Sequence, residues 1–164
     1  MIYQERLSSN RTLALFAALT ATFSGLLIRR VSVRNLDGWG IAFLILAAIF
    51  LFYTLNYRVL HIHLDNQALV LRFGIFKWAV SIENISGCRL DQLPALKRYG
   101  GAGIHFMFAD GRYRASFNFL EYPRVVVTLK HKAGPVQDLS FSTRHPNEII
   151  GLIQQTVAEK EGNL

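Results

Sequence analysis

The chain has 164 residues, of which 51% are hydrophobic, and it carries 18 basic against 11 acidic side chains. This length accommodates one ordinary domain and a modest additional element. Its single cysteine, Cys88, excludes an intrachain disulfide and a cysteine-based metal cluster. Five of the basic residues lie in the first 57 positions, and residues 58–164 carry 13 basic and 9 acidic side chains. Because that surplus of four is small for a nucleic-acid binder, we expect no nucleic-acid partner.

The first of two uncharged apolar segments covers residues 12–28. Its 17 residues are bracketed by Arg11 and Arg29. As a helix it would cover about 26 Å, and the flanking arginines can extend to the interfaces of a hydrocarbon core about 30 Å thick. A cleaved signal peptide is the alternative, but the apolar run continues through Ile28 without a small-residue cleavage site. The sequence therefore predicts a membrane-spanning helix here.

The second apolar segment, residues 39–57, is longer and more strongly apolar. Trp39 lies at its start and Tyr53 and Tyr57 lie near its end. Aromatic rings prefer these positions because each has an apolar body and a polar tip for the membrane–water interface. We predict a transmembrane helical hairpin over residues 1–57, with the lipid bilayer as its first partner.

Small residues line one side of the first predicted helix, at a spacing that lets two helix backbones approach closely. Two uses of this face are open. It can pack against the second helix of the same hairpin, or it can dock against another integral membrane protein if the hairpin leaves it free. The residues are Ala14, Ala17, Ala18, Ala21 and Gly25.

The orientation of the hairpin is not decided by charge. The connecting loop, residues 29–38, holds three arginines. Five basic residues lie on the opposite side. The density of arginines in the loop favours a cytoplasmic loop, whereas the total count of basic residues favours cytoplasmic termini and a cytoplasmic β domain. The positive-inside rule therefore leaves both orientations open. The five residues are Arg6, Arg11, Arg58, Arg72 and Lys77.

After Tyr57 the hydrophobic pattern changes to the period of two that is typical of strands. The pair Asp110-Gly111 is the strongest hairpin signal in the chain. Seven or eight short strands joined by short turns favour a sheet that curls or closes. The predicted strands cover residues 59–65, 68–73, 76–82, 85–90, 103–109, 112–119, 125–130 and 136–142.

A helix is predicted over about residues 146–160. Pro146 suits a first helical position, and Glu148 follows His145 by three residues, as in a capping box. The apolar residues Ile149 and Ile153 recur at helical spacing. This stripe would close the open end of a β-barrel.

Strands capped by one C-terminal helix form the outline of a pleckstrin-homology-like (PH-like) barrel. The stretch HIHLDNQALVLRFGIFKWAVSIENISGCRLD resembles the bacterial PH-like membrane-protein families, as do GGAGIHFMFADGRYRASF, VVVTLK and LSFSTRHPNEIIGLI. The resemblance covers roughly residues 57–157 and implies a PH-like domain over 58–164. It also implies a bacterial inner membrane, a cytoplasmic β domain and, as in some similar architectures, a role in assembling membrane complexes.

Four basic residues are candidates for contact with anionic headgroups or a partner. Arg112 and Arg114 share one face of a predicted strand with Ser116 and Asn118, so that face is expected to be wet. A solvated face without a partner is the competing interpretation. The other two candidates are Lys97 and Arg98.

Five aromatic residues lie close together on the same predicted hairpin. Base stacking is one interpretation, but core packing explains them better, because Ile104, Phe106 and Phe108 alternate as a core face would. The five are Phe106, Phe108, Tyr113, Phe117 and Phe119.

No pattern of catalytic or metal-binding residues emerges. His61 and His63 share a strand face, but no further ligand accompanies them. The glycines at 100–103 lack the Lys-Ser/Thr of a phosphate-binding loop, and Cys88 is expected to be a buried thiol. We therefore expect no cofactor and no metal.

Three functions remain as hypotheses. The first is a non-enzymatic, membrane-anchored accessory, scaffold or assembly subunit that binds other integral membrane proteins. The second is a module that binds anionic lipid headgroups. The third is a membrane-bound enzyme with an unrecognised site.

Overall fold

The computed structural model describes residues 2–34, 37–94 and 101–162. The chain forms two units, one of Ser9–Arg58 and the other of Met1–Ser8 with Val59–Leu164. A strand that the sequence did not predict, β1 (Tyr3–Ser8), belongs to the second unit. The helical unit is therefore inserted between two strands of the β domain, instead of preceding the whole domain as the predicted boundary at residue 57 implies.

The helical unit contains α1 (Asn10–Ser32) and α2 (Gly38–Asn56). The Ser9 and Asp37 side chains cap the two helices by accepting hydrogen bonds from backbone N–H groups, at 3.0 Å and 3.2 Å. Both helices are long and apolar enough to cross a membrane, with mean hydropathies of 1.6 and 2.2. Only 6% and 11% of their most apolar stretches are buried.

Aromatic rings and one threonine pair join α1 to α2. Phe23 stacks on Phe50 with ring centroids 5.5 Å apart, and Phe16 lies 5.5 Å from Tyr53. The hydroxyl oxygen of Thr20 lies 3.4 Å from that of Thr54. The contact face of α1 therefore follows Phe16, Thr20 and Phe23, spaced i, i+4 and i+7.

Sheet A contains four antiparallel strands, in the order β1, β2 (Val59–Leu64), β3 (Ala68–Phe73) and β4 (Phe76–Ser81). The Asp65 carboxylate accepts hydrogen bonds from the Gln67 and Ala68 N–H groups, both at 2.8 Å, and this forms the β2–β3 turn. Gly74, at a φ of 51°, forms the β3–β4 turn in a conformation that favours glycine.

Sheet B contains five strands: β5 (Ile85–Leu90), β6 (Gly103–Ala109), β7 (Arg112–Asn118), β8 (Arg124–Ala133) and β9 (Val136–Ser142). Their order in the sheet is β5-β8-β9-β7-β6. The predicted Asp110-Gly111 turn is confirmed, with φ of 53° and 74°, and it pairs β6 with β7. One pair, β7 with β9, is parallel, and the other pairs of this sheet are antiparallel. A 3₁₀ turn (Ile82–Asn84) precedes β5.

The hydrophobic core lies between the two sheets. Phe73 of β3 packs with its ring centroid 6.2 Å from Phe117 of β7 and 5.1 Å from Phe119, which directly follows β7. The predicted C-terminal helix is confirmed as α3 (Pro146–Glu161), and Ile149 and Ile153 are fully buried. The architecture is thus two apolar helices, two mostly antiparallel sheets and a C-terminal helix.

A buried carboxylate connects β1 to the segment that leads into α3. Glu5 accepts hydrogen bonds from the Thr143 hydroxyl at 2.6 Å and from the Arg144 N–H at 3.0 Å. Tyr3 donates to the same carboxylate at 2.9 Å, and burial raises the pKa of Tyr3 to about 12. The His145 side chain makes no cap hydrogen bond, so these bonds, and not a capping box, organise the helix entry.

Candidate functional site

The basic patch predicted on β7 is not an exposed surface. Arg114 has 0% of its side chain exposed, and Arg112 is 38% exposed and donates to the Asp138 carboxylate at 2.8 Å. Lys97 and Arg98 lie outside the described residues. The prediction that Arg114 contacts headgroups is therefore wrong, because a fully buried charge cannot reach a lipid phosphate.

Arg114 instead occupies the centre of a buried ionic cluster. Its guanidinium nitrogens lie 3.3 Å from the Asp138 carboxylate, 3.2 Å from Asp110 and 3.8 Å from Asp91. Arg124 approaches Asp91 at 3.0 Å and also donates to the Leu93 carbonyl. Three carboxylates thus surround one guanidinium and are shared with its neighbours, which is what a buried charge requires.

Arg89 extends this cluster to the surface. It lies 2.9 Å from Asp110, and hydrogen bonds from Arg89 and then Arg114 hold the pKa of Asp110 below its ordinary value. The aspartates are separated by many residues in sequence, so no local motif marks the cluster. The cluster joins the end of β5 to β7, β8 and β9.

Neutral polar side chains continue the same face of sheet B. Ser116 is buried and lies between His105 of β6 and Ser140 of β9 in the strand register. Among the described residues, the Ser116 hydroxyl, the Ser140 hydroxyl and His105 Nε2 have no hydrogen-bond partner. An activated serine needs a hydrogen bond to its base, and Ser116 makes none to His105. The face of β7 that was predicted to be solvent-exposed is therefore a buried polar layer.

A second surface is aromatic and exposed. Phe106 and Phe108 have 51% and 72% of their surface exposed, so the prediction that both fill the core is wrong. The Phe106 centroid lies 6.2 Å from Trp78 and 6.4 Å from Tyr113, and Phe108 lies 5.0 Å from Tyr113. We call these four residues the aromatic surface.

The position of β6 explains this exposure. It is the last strand in the order of sheet B, whereas Phe117, on the neighbouring β7, is covered by sheet A. Clustered exposed aromatic rings are typical of interaction surfaces. A depression of ≈ 220 Å³ lies beside Phe108 and is also lined by Leu93, Ala109, Asp110 and Gly111.

The predicted small-residue face of α1 points away from α2. The contact with α2 uses Phe16, Thr20 and Phe23, and all five small residues are exposed. A Cβ placed on Gly25 would meet no atom within 4 Å. The sequence left open whether this face packs against α2 or docks against another integral membrane protein. In the structure it does not pack against α2. The five are Ala14, Ala17, Ala18, Ala21 and Gly25.

The remaining candidates have ordinary surroundings. His63 lies 3.4 Å from Asp65, and His61 is exposed on the outer face of sheet A. Cys88 is buried, and burial raises the pKa of its thiol to about 12. Within the described ranges, no three His, Cys, Asp or Glu side chains are grouped to hold a metal ion.

Comparisons with protein-family models, with curated proteins and with solved structures find no match. The resemblance to bacterial PH-like membrane proteins therefore stays a prediction. The aromatic surface and the small-residue face of α1 are the basis of the proposed function.

Proposed function

We propose that this chain is a membrane-anchored, non-catalytic binding module that joins another integral membrane protein as an accessory, scaffold or assembly subunit. The observation that carries the proposal is the orientation of the small-residue face of α1, which the hairpin leaves uncovered. Close backbone packing at small residues drives association between transmembrane helices, where the hydrophobic effect gives no preference for protein over lipid.

The exposed surface of both helices supports insertion into a membrane. Large apolar side chains are exposed along their length, whereas soluble monomers rarely expose contiguous apolar patches of this extent. We propose that α1 and α2 span the bacterial inner membrane and that the β domain is a cytoplasmic PH-like barrel, as the resemblance implies. The exposed apolar residues include Leu15, Ile28, Ile41, Leu44, Ile45, Leu51 and Leu55.

The aromatic surface offers a second contact for a protein partner. It combines the exposed rings of Phe106 and Phe108 with an end strand that, among the described residues, pairs only with β7. Aromatic side chains dominate the energetics of protein interfaces because each buries a large area with few rotatable bonds. The earlier lipid hypothesis, based on Arg112 and Arg114, has no comparable support.

The test substitutes the small-residue face in the full chain. Ala18→Leu with Ala21→Leu blocks close approach of a second helix, and Ala48→Leu, at an exposed position of α2, is the matched control. We expect the unaltered chain and the control to purify from native membranes, in mild detergent, in a stoichiometric complex with another membrane protein. The double variant should lose about 90% of that complex, equivalent to about 1.4 kcal/mol.

Two results would contradict the proposal. One is a chain that purifies only as a monomer, or only with copies of itself, after chemical cross-linking in the membrane. The other is an equal loss of complex in the double variant and the control, since that would show a general effect of bulk in the membrane.

A further inference from the structure

A row of basic side chains crosses the outer face of sheet A. The strand register places Arg6 opposite His61, His61 opposite Arg72, and Arg72 opposite Lys77. All four side chains are exposed, one on each strand. We call these four residues the basic row.

Among the described residues, no acidic side chain balances the basic row. Within β1–β4 the outward-facing positions carry no Asp or Glu, and Arg6, Arg72 and Lys77 form no ion pair with the described carboxylates. Like charges on directly opposite strand positions destabilise a sheet. The pKa of His61 is lowered by partial burial and then by Arg6 and Arg72, its partners in the strand register. The isolated domain therefore bears an electrostatic cost that an anionic partner would relieve.

The basic row lies beside the point where the chain passes to its apolar helices. Ser8 and Val59 are register partners at one end of sheet A, and Ser9 caps α1 directly after Ser8. The basic row is two residues from this end, about 7 Å along the strands. Both chain connections to the helical unit therefore leave the sheet next to the basic row.

The β3–β4 turn lies at the same end of sheet A. Leu60 pairs with Phe73, and the turn follows at once with Gly74 and Ile75. Ile75 is 72% exposed, and Arg72 donates to the Gly74 carbonyl at 2.9 Å. An apolar side chain at the tip of a turn, flanked by Arg72 and Lys77, has the composition of a segment that enters the membrane interface.

We propose that the basic row and Ile75 bind the anionic lipid surface of the membrane that α1 and α2 enter. This inference rests on the membrane insertion in the proposed function, but not on the protein partner. The basic side chains contact lipid phosphates while Ile75 inserts between the headgroups. Each basic residue near such a surface contributes about a fivefold preference for the bound orientation, and screening by salt reduces it.

The experiment places a fluorophore at the turn of the full chain. Ile75→Cys in a Cys88→Ala background is labelled with an environment-sensitive dye and incorporated into nanodiscs. One set contains phosphatidylcholine alone, and the other also contains phosphatidylglycerol. We expect blue-shifted emission and quenching by nitroxide-labelled lipids in the anionic nanodiscs, and both effects should weaken in neutral nanodiscs or at high salt.

Two triple variants that lose the same charge separate local from general electrostatics. Arg6→Gln, Arg72→Gln and Lys77→Gln together remove three charges of the basic row. Three lysines elsewhere in the same unit, Lys130 and Lys132 exposed and Lys160 half-buried, provide the control: Lys130→Gln, Lys132→Gln and Lys160→Gln. At low salt the first triple variant should lower the ratio of lipid-bound to free orientations by about a hundredfold, from three fivefold terms, while the control keeps the unaltered value.

The outcomes distinguish the two proposals. A chain that inserts but keeps the dye in water in both lipid mixtures overturns this inference alone, including the case in which the basic row binds only an acidic protein. An equal loss in both triple variants also overturns it. A chain that fails to enter nanodiscs overturns the membrane insertion on which both proposals depend.

Discussion

Arg72 of sheet A and Arg114 of sheet B look alike in sequence but lie in opposite environments. Each alternates with apolar residues in a short strand, yet Arg72 is exposed in a row without carboxylates and Arg114 is buried among three of them. The difference arises because sheet A exposes its polar face, whereas the inner strands β7 and β9 of sheet B are buried on both faces over most of their length. The role of a charged side chain on a strand can therefore be inferred only when it is known whether another element packs on that face of the sheet.

The largest expected effect tests this contrast directly. Arg114→Leu should lower the free energy of unfolding by about 3–5 kcal/mol, because it leaves buried carboxylates without their shared cation. Arg72→Leu should change it by no more than about 0.5 kcal/mol, since the side chain is exposed. Chemical denaturation of the full chain in detergent, followed by near-UV circular dichroism, measures both. Equal destabilisation would show that the ionic cluster is not buried as described.

Phe117 and Phe108 extend the comparison to aromatic residues of one hairpin. Phe117→Ala should cost about 3–5 kcal/mol of unfolding free energy, because the ring is buried between the sheets. Phe108→Ala should cost about 0.5 kcal/mol or less, because the ring is mostly exposed. Thermal unfolding of the two variants under identical conditions is the measurement. A large loss at Phe108 would mean that the aromatic surface packs within the fold and is not available to a partner.

The smallest effect concerns the proton on His61. Burial, then Arg6 and Arg72, lowers its pKa below the ordinary value of 6.5, so the unfolded chain binds this proton more readily. Through His61, the free energy of unfolding therefore decreases as pH falls below 6.5. Above pH 6.5, His61 adds no pH dependence to the free energy of unfolding. Arg72→Gln should raise the pKa of His61 in an NMR titration. His105 is the internal control, since its lowered pKa comes from burial and involves no arginine; a parallel shift there would refute the local explanation.

The sequence predicted the helices and most strands because their signals are local. Each signal is contained within a stretch of neighbouring residues: the uncharged runs, the Asp110-Gly111 pair and Pro146. The structure has a helix or a turn at each of them. The first strand was missed because Tyr3–Ser8 is short and precedes an apolar helix. Its partner, β2, lies beyond the entire hairpin, so nothing nearby in sequence indicates the pairing.

The candidate sites were predicted less well, because each depends on which face is covered. Alternation correctly grouped Arg112 with Arg114 on one strand face, but the partner carboxylates of Arg114 are contributed by distant segments that only the fold brings together. Phe117 lies in the core and Phe106 and Phe108 lie at the surface, because sheet A covers Phe117 on β7 and leaves these two residues of β6 exposed. The basic row was visible in sequence only as scattered positive residues.

The sequence by itself determined the two apolar segments, the strand periodicity and the closing helix, because hydrophobic patterns and turn residues act over a few neighbouring positions. Tertiary structure decided where the charges act. Strand register aligned Arg6, His61, Arg72 and Lys77 across four strands, and burial enclosed Arg114 with its aspartates. Helix packing through aromatic rings directed the small residues of α1 outward. Each of these results depends on contacts between residues far apart in the chain, which no local pattern encodes.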